Sequence, residues 1–312
     1  MVCETCIKFY QRSSKFGLSQ SSGDKERIVY SYGTDTDLQS STDTDRWHML
    51  LVDLENLQTT VASGQYDRVL MEVTRTKANL LLVEGKALHA KADTLDEMGK
   101  RDAIGKAYEA ASASIDFFRS LPEEQKDKVM YAEALLLYAN TAARVAKHRQ
   151  TQAGWMKVSS AEMLDMARRN ADEAGKILKQ LDHPNAGNAY RVKGVIELSQ
   201  KDFQQARKYF VMALQEFSKS EEGCKTVWRA VSFWSMHVAL LEAGKKEESL
   251  LWLKQAIILH TEIEGGDHPY TKGYQDRLNK LTNNKYKDFQ DFRLSSEETA
   301  VIKAALSSNV SL

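Results

Sequence analysis

YRVKGVIELSQKDFQQARKYFVMA (residues 190–213) and FWSMHVALLEAGKKEESLLWLKQA (residues 233–256) begin 43 residues apart and repeat one pattern. Both stretches start with an aromatic residue, end with alanine, and carry small and large residues at matching places between. Fixed self-similarity over a few tens of residues is typical of arrays of helix pairs, in which each unit covers the apolar face of its neighbour. The repeated stretch therefore predicts an all-α fold.

A tripeptide, Asp-His-Pro, brackets the two copies at residues 182–184 and 267–269, which are 85 residues apart. Proline fixes its own φ and keeps the preceding residue out of the α region, and aspartate accepts hydrogen bonds from the free N–H groups of a helix start. We interpret both tripeptides as marks of helix starts, two units apart, rather than as a pair of catalytic sites.

Composition limits the classes of function. The chain has 312 residues, 28% of them charged and 42% hydrophobic, and only three are proline, which favours a helical globular protein. Lys and Arg together number 43, as do Asp and Glu, so the formal net charge is zero. A neutral chain has no long-range field for nucleic acid, which argues against general DNA or RNA binding and leaves a local basic groove open.

The cysteines and the N-terminal segment bear on location. Three cysteines, Cys3, Cys6 and Cys224, do not make a disulfide framework and fit a reducing compartment. Residues 1–30 lack the apolar centre of a signal peptide, and no apolar run reaches the roughly 18 residues of a membrane span. We expect a cytoplasmic protein without a membrane span, with an organellar transit segment at the Lys- and Ser-containing N-terminus as the alternative.

Periodicity divides the chain into three parts. Residues 1–45 are rich in Ser, Thr, Asp and Gly and predict a flexible arm. Residues 46–283 carry helical periodicity and predict a repeat domain. Residues 284–312 predict a polar linker, a short helix introduced by the capping box Ser295-x-x-Glu298, and a free tail.

Inside the repeat domain, we expect about five antiparallel helix pairs. A 34-residue unit of two helices is expected to start at Ala92, and a longer third pair to run from Pro122 to Arg149 and, after a polar break, through Met163 to Leu178. The turns of the last two pairs are placed at residues 200–203 and 243–246. One more helix, after Pro269, is expected to cap the array.

The pattern of small and large residues resembles the tetratricopeptide repeat. The matching positions of the two copies are Tyr190, Gly194, Ala206, Phe210 and Ala213 in one and Phe233, His237, Ser249, Leu253 and Ala256 in the other. The period of 42–43 residues is similar to that of kinesin-light-chain-like repeats, although Lys193-Gly194, Met236-His237 and Ser249 depart from the family's usual residues. The resemblance implies a right-handed superhelical α-solenoid with a C-terminal capping helix, and it leaves function open.

The resemblance also implies a peptide-binding groove on the concave face, lined by the first helix of each pair. Carried over position by position, the candidate groove residues are Asn140, Arg144, Asn188, Arg191, Val195, Trp234 and Val238. Asn and Arg side chains suit the backbone or a carboxylate of an extended peptide. The Lys-x3-Asn arrangement of the family's carboxylate clamps is not visible in this sequence. For Trp234 and Val238, burial between helices is the alternative reading.

Catalytic and metal-binding patterns are weak. Cys3-x-x-Cys6 has the spacing of half a zinc site, but a structural zinc site needs four ligands and no second pair accompanies it. Phosphate-binding loops, nucleophile elbows and His-Glu-x-x-His are absent from the sequence. We therefore predict no catalytic residues, no metal site and no cofactor.

Taken together, these features predict a non-enzymatic scaffold or adaptor that binds a protein or peptide partner in its groove. A sensor whose groove takes a small ligand or peptide and repositions the N-terminal arm is the alternative. An RNA-binding repeat protein or an enzyme on a helical-repeat scaffold is the weaker alternative. The oligomeric state and the identity of the partner do not follow from the sequence.

Overall fold

The computed structural model describes residues 67–149, 159–283 and 293–307. All regular structure in these ranges is helical and packs in adjacent pairs, which confirms the predicted all-α class for this part of the chain. The predicted arm of residues 1–45, the Cys3–Cys6 pair and the predicted tail beyond residue 307 lie outside the described residues. Within the described ranges, no helix has the length and apolarity needed to cross a bilayer.

Eleven α-helices and three short 3-10 segments make up the described ranges. In chain order, the α-helices are α1 (Asp67–Lys91), α2 (Glu97–Ser120), α3 (Lys128–Arg149), α4 (Ser160–Gln180), α5 (Gly187–Ser199), α6 (Phe203–Phe217), α7 (Glu221–Cys224), α8 (Val227–Glu242), α9 (Lys246–Glu264), α10 (Pro269–Leu281) and α11 (Ser296–Ser307). The helices belong to two compact units, with the boundary between Leu137 and Tyr138 inside α3.

In the first unit, α1 and α2 form an antiparallel pair. Asp96 caps α2, because its Oδ1 accepts a hydrogen bond from the Gly99 N–H at 2.8 Å. The Ser114 hydroxyl donates to the Ala78 carbonyl at 2.7 Å, which ties the middle of one helix to the other. The first turn of α3 contacts this pair, since Arg119 Nε donates to the Tyr131 hydroxyl at 3.2 Å.

The prediction of a two-helix repeat unit starting at Ala92 was wrong, because a single helix occupies most of that stretch. Helix α2 runs without interruption from Glu97 to Ser120. Gly105 is the least helix-favouring residue in the interior of this stretch, and a single glycine inside a helix costs only about 1 kcal/mol relative to alanine. The residues that follow it, Lys106 and Ala107, offer no side-chain acceptor to cap a new helix start. The helix therefore continues.

In the second unit, the two predicted repeat pairs are α5 with α6 and α8 with α9. Their turns fall at the predicted residues, where Lys201 has φ of +65° and Gly244 has φ of +78°. Left-handed backbone of this kind reverses the chain between helices and is easiest for glycine. Helix α4 packs on α5, α6 on α8, and α9 on α10, so neighbouring pairs share one core.

The departures from the family pattern at positions 237 and 249 contact one another. His237 is buried on α8, and its Nδ1 lies 3.1 Å from the backbone carbonyl oxygen of Ser249 on α9. A carbonyl can only accept, so Nδ1 carries the proton. In the preceding pair, Gly194 occupies the equivalent place and the ring of Phe210 fills the space above it. A hydrogen bond therefore replaces close backbone approach in the last pair.

The two Asp-His-Pro tripeptides do mark helix starts, but the capping residue is histidine. His183 Nδ1 accepts from the Asn185 N–H at 3.2 Å, and His268 Nδ1 accepts from the Tyr270 N–H at 3.4 Å. Asp182 instead has φ of +46°, a backbone conformation that Asp tolerates better than most residues. The expectation that aspartate would accept the free N–H groups was therefore wrong.

Substitutions in the first tripeptide test this assignment. His183→Ala removes the acceptor and should lower the free energy of unfolding by about 1 kcal/mol, the usual effect of losing a helix cap. Asp182→Asn, the matched control, keeps both size and tolerance of positive φ and should change it by less than about 0.5 kcal/mol. Urea unfolding followed by circular dichroism measures both, and the reverse ranking would restore aspartate as the cap.

The last two predicted helices are also confirmed. Helix α10 begins at Pro269 and buries Tyr274 and Leu278, and α11 begins with the predicted capping box. In that box the Glu298 N–H donates to Ser295 Oγ at 3.1 Å, and the Ser295 N–H donates to Glu298 Oε2 at 2.9 Å. The end of the chain's described part thus carries a helix with a well-defined start.

Candidate functional site

Two of the predicted groove residues on α5 are buried and bonded to each other. Asn188 and Arg191 are 6% and 4% exposed, and Arg191 Nε donates to Asn188 Oδ1 at 2.6 Å. The Arg191 guanidinium also lies over the ring of Trp228, with 4.9 Å between Cζ and the ring centroid. These contacts tie α5 to the start of α8.

The charge on Arg191 survives its burial. Burial lowers the pKa of the guanidinium to about 10, and the nearby phenol of Tyr274 opposes part of that change. The group is therefore protonated at neutral pH. Arg191 is almost inaccessible to a ligand. Its contact with Trp228 joins the first helices of neighbouring pairs. Val195, one turn further along α5, is half-buried against the same core.

Trp234 and Val238 on α8 are half-buried and line a pocket. The pocket has a volume of about 410 Å³ and lies between α8 and α10. Its wall is formed by Trp234, Val238, Leu241, Glu242, Gly273, Asp276, Arg277 and Lys280. The wall thus combines three large apolar side chains with two acids and two bases, the usual mixture of an apolar surface with a few polar groups that orient a ligand.

An aromatic stack holds the apolar side of this pocket. The rings of Trp234 and Tyr274 are nearly parallel, with centroids 4.4 Å apart and planes inclined by 12°. Tyr274 is 7% exposed and belongs to the core, so it covers the face of the Trp234 indole that points toward the core. Trp234 is therefore held by its neighbours and keeps part of its surface in the pocket.

His237 lies next to the pocket residues without lining the pocket. Its ring centroid is 5.2 Å from that of Trp234, and its Nε2 is buried without a hydrogen-bond partner among the described residues. Burial lowers the pKa of this imidazole to about 4, and the charge of nearby Arg277 lowers it further. The ring is neutral at physiological pH and places no second cation beside Arg277.

Asn140 and Arg144 are half-buried on α3 and do not belong to the pocket wall. Lys147, three residues after Arg144 on the same helix, lies with its Nζ 3.7 Å from Glu242 Oε1 on the pocket rim. The end of α3 thus approaches the pocket through Lys147. The structure brings Trp234 and Val238 together in one wall, and Asn188 and Arg191 together in the core.

Helix α10 contributes two residues to the site that were not predicted from the sequence. Tyr274 supports the stack, and Arg277 forms part of the wall. The 43-residue step that relates Arg191 to Trp234 leads on to Arg277, and the same step relates Val231 to Tyr274. Extending the period by one more unit would have found both residues, but the helix after Pro269 was interpreted only as a cap.

Comparison with known proteins adds no family to this description. No protein-family model matches the chain, and no curated protein matches it significantly.

Proposed function

We propose that this protein is a non-enzymatic helical-repeat scaffold of tetratricopeptide type, which binds a protein or peptide partner along the first helices of its last repeats. The proposal extends the adjacent helix pairs into a right-handed superhelical array whose first helices line the concave groove. The observation that carries it is the pocket between α8 and α10. Its two sides derive from equivalent places, because Trp234 and Arg277 are one 43-residue step apart.

The chemistry of the wall specifies the ligand. Trp234, Val238 and Leu241 offer an apolar surface of the size of one large side chain. Arg277 and Lys280 add donors to the same wall, and Asp276 and Glu242 add acceptors, which suits the donors and acceptors of a peptide backbone. We expect a peptide segment that inserts one large apolar or aromatic residue between α8 and α10.

A peptide-display selection with the purified full chain tests the proposal. A selected peptide, labelled with a fluorophore, is titrated with the protein and followed by anisotropy. Val238→Arg places a charge in the apolar wall and should weaken binding by about tenfold or more, since one lost apolar contact of this size corresponds to at least 1.4 kcal/mol. Arg277→Glu reverses a rim charge and should weaken it as well.

Two matched variants serve as controls. Met98→Arg introduces the same charge at an apolar residue that is 80% exposed on α2, and Arg169→Glu reverses an exposed charge on α4. Both should bind the selected peptide as the wild type does. Equal affinity for all four variants, with circular dichroism unchanged, would show that the pocket is not the binding site.

A further inference from the structure

The start of α10 depends on a histidine that lies in a group of packed rings. His268 is 9% exposed and caps the helix through Nδ1, which accepts from the Tyr270 N–H. Its ring is stacked on that of His260 of α9, with centroids 5.2 Å apart and planes inclined by 29°. The group that caps α10 is therefore titratable and lies against the neighbouring helix.

The cap fixes the tautomer of the neutral ring. A ring nitrogen that accepts a hydrogen bond carries no proton, so the proton of neutral His268 is on Nε2. That atom lies 3.6 Å from Glu264 Oε2 at the end of α9, and the two side chains are only 6% and 17% exposed. The two nitrogens of one ring are thus directed to different helices, Nδ1 to α10 and Nε2 to α9.

A second proton on this ring has opposite effects on the two contacts. An imidazolium donates from both nitrogens, so Nδ1 can no longer accept from the Tyr270 N–H. A positive charge is also unfavourable at the N-terminal end of a helix dipole. At Nε2, by contrast, the charge strengthens the interaction with the Glu264 carboxylate. Protonation of His268 therefore favours its contact with α9 over its contact with α10.

The groups around the ring make His268, rather than His260, the site of the charge. His260 is fully buried, and burial together with nearby His268 lowers its pKa to about 4. Asp267, the residue before His268, is fully exposed and pairs with Lys272 at 3.0 Å. The Tyr270 ring lies 5.6 Å from the His268 ring. Glu264 is therefore the carboxylate that pairs with a charged His268.

We propose that His268 is a pH-dependent cap: the neutral ring fixes the first turn of α10, and the protonated ring pairs with Glu264 and releases that turn. The Thr271 hydroxyl, 3.1 Å from His260 Nδ1, is a second attachment of the same turn and does not involve His268. The turn is therefore loosened while the rest of α10 stays in place. It directly precedes Gly273, which lines the pocket. The device is a property of the free protein and does not depend on the proposed function.

The direction of the pH effect follows from which state binds the proton. The capped turn excludes a proton from Nδ1 and the open turn accepts it, so acid favours the open turn. Histidine is the side chain whose charge ordinarily changes between about pH 5 and pH 8. Opening of the first turn should therefore increase as the pH falls through this range, and the cap should be complete above it.

Hydrogen exchange of the Tyr270 and Lys272 amides measures this opening in the purified full chain. In the capped turn these amides donate to His268 Nδ1 and to the His268 backbone carbonyl, respectively. Their protection factors, corrected for the intrinsic exchange rate, should fall by about fivefold or more between about pH 7.5 and about pH 5.5. This factor corresponds to the usual effect of losing a helix cap.

His268→Asn separates the cap from the charge, because asparagine is a good capping residue and does not titrate. The two amides should be protected as in the wild type at about pH 7.5 and should lose less protection on acidification. Comparing the two proteins at each pH cancels the acid effects that they share. His183→Asn, the same replacement in the first tripeptide, is the matched control and should leave exchange in α10 at the wild-type values.

Glu264→Gln tests the second partner without altering the cap. It removes the carboxylate that favours the charged ring, so the loss of protection between about pH 7.5 and about pH 5.5 should become smaller. Circular dichroism checks that each variant is folded. Equal loss of protection in the wild type and in His268→Asn would overturn the proposal. A Glu264→Gln protein that loses as much protection as the wild type would overturn the exchange of partners on which it depends.

Discussion

Gly194→Ala should lower the free energy of unfolding by about 2–3 kcal/mol, the effect of overpacking a filled core. A Cβ on Gly194 would lie within 3.0 Å of three carbons of the Phe210 ring. Phe210 is fully buried on α6, so its ring has no free space into which it can move. Helices α5 and α6 would have to separate. Urea unfolding of the wild type and the variant measures the change.

Gly273→Ala is the matched control, because no atom lies within 4 Å of a Cβ at that helical position. Alanine there should raise the free energy of unfolding by about 0.5–1 kcal/mol through its higher helix propensity. The same substitution, glycine to alanine, should thus lower the free energy of unfolding in α5 and raise it in α10. A Gly194→Ala protein as stable as the wild type would mean that α5 and α6 do not approach as closely as described.

A second variant identifies the ring as the cause. Phe210→Leu replaces the ring with a smaller side chain and leaves room for a methyl group at position 194. The double variant Gly194→Ala with Phe210→Leu should be more stable than the sum of the two single effects by about 1 kcal/mol or more. If the effects of the two single substitutions are additive, contact with the Phe210 ring is not what destabilises the Gly194→Ala variant.

Acidification from about pH 7.5 to about pH 5 should destabilise the protein by roughly 2 kcal/mol for each of two buried histidines. Burial lowers the pKa of His237 to about 4, and burial together with nearby His268 lowers the pKa of His260 to about 4. An imidazole in the unfolded chain titrates near pH 6.5. Between these pKa values, the unfolded state therefore binds protons at these two residues and the folded state does not.

The sign of this effect follows from the two pKa values. Above about pH 6.5 both states are neutral at these residues and the full stability is present. As the pH falls from about 6.5 to about 4, protons bind to the unfolded chain only, so stability is lost; below about pH 4 the folded state binds them too and the loss stops. The charge of Arg277 near His237 opposes protonation further, and Glu264 Oε2 lies 3.6 Å from His268 Nε2.

Replacing the two histidines tests whether they cause this loss of stability. The contributions of the other titrating groups do not have to be known. His237→Gln and His260→Gln each remove one imidazole, so each should make the stability difference between about pH 7.5 and about pH 5 smaller by roughly 2 kcal/mol. Chemical unfolding at both pH values measures that difference. Profiles of wild type and variants that run parallel would show that these histidines do not control the acid sensitivity.

The starts and ends of the helices were mostly predictable, because they depend on residues close in sequence. The turns near Lys201 and Gly244 and the capping box at Ser295 were placed correctly on local chemistry. The continuous helix through Gly105 was missed, because the repeat register was extended to a segment that does not follow it. The histidine caps were missed because aspartate is the usual acceptor at such a place.

The candidate site was predictable only in part. The repeat register selected Trp234 and Val238, which line the pocket, and by the same rule it selected Asn188 and Arg191, which are buried. Whether a residue at such a position faces a pocket or a neighbouring helix depends on the side chains opposite. Arg191 is covered by Trp228, a residue that no position in the pattern marks.

The sequence by itself determined the all-helical class, the 43-residue spacing of the last pairs and the ends of their helices. These features depend on backbone preferences and on side chains within a few residues, which act before the chain is packed. Only the tertiary structure decided which side chains line the pocket, that His237 bonds to Ser249, and that α11 docks on Lys254. Burial and pairing across tens of residues depend on how helices meet, which no local pattern contains.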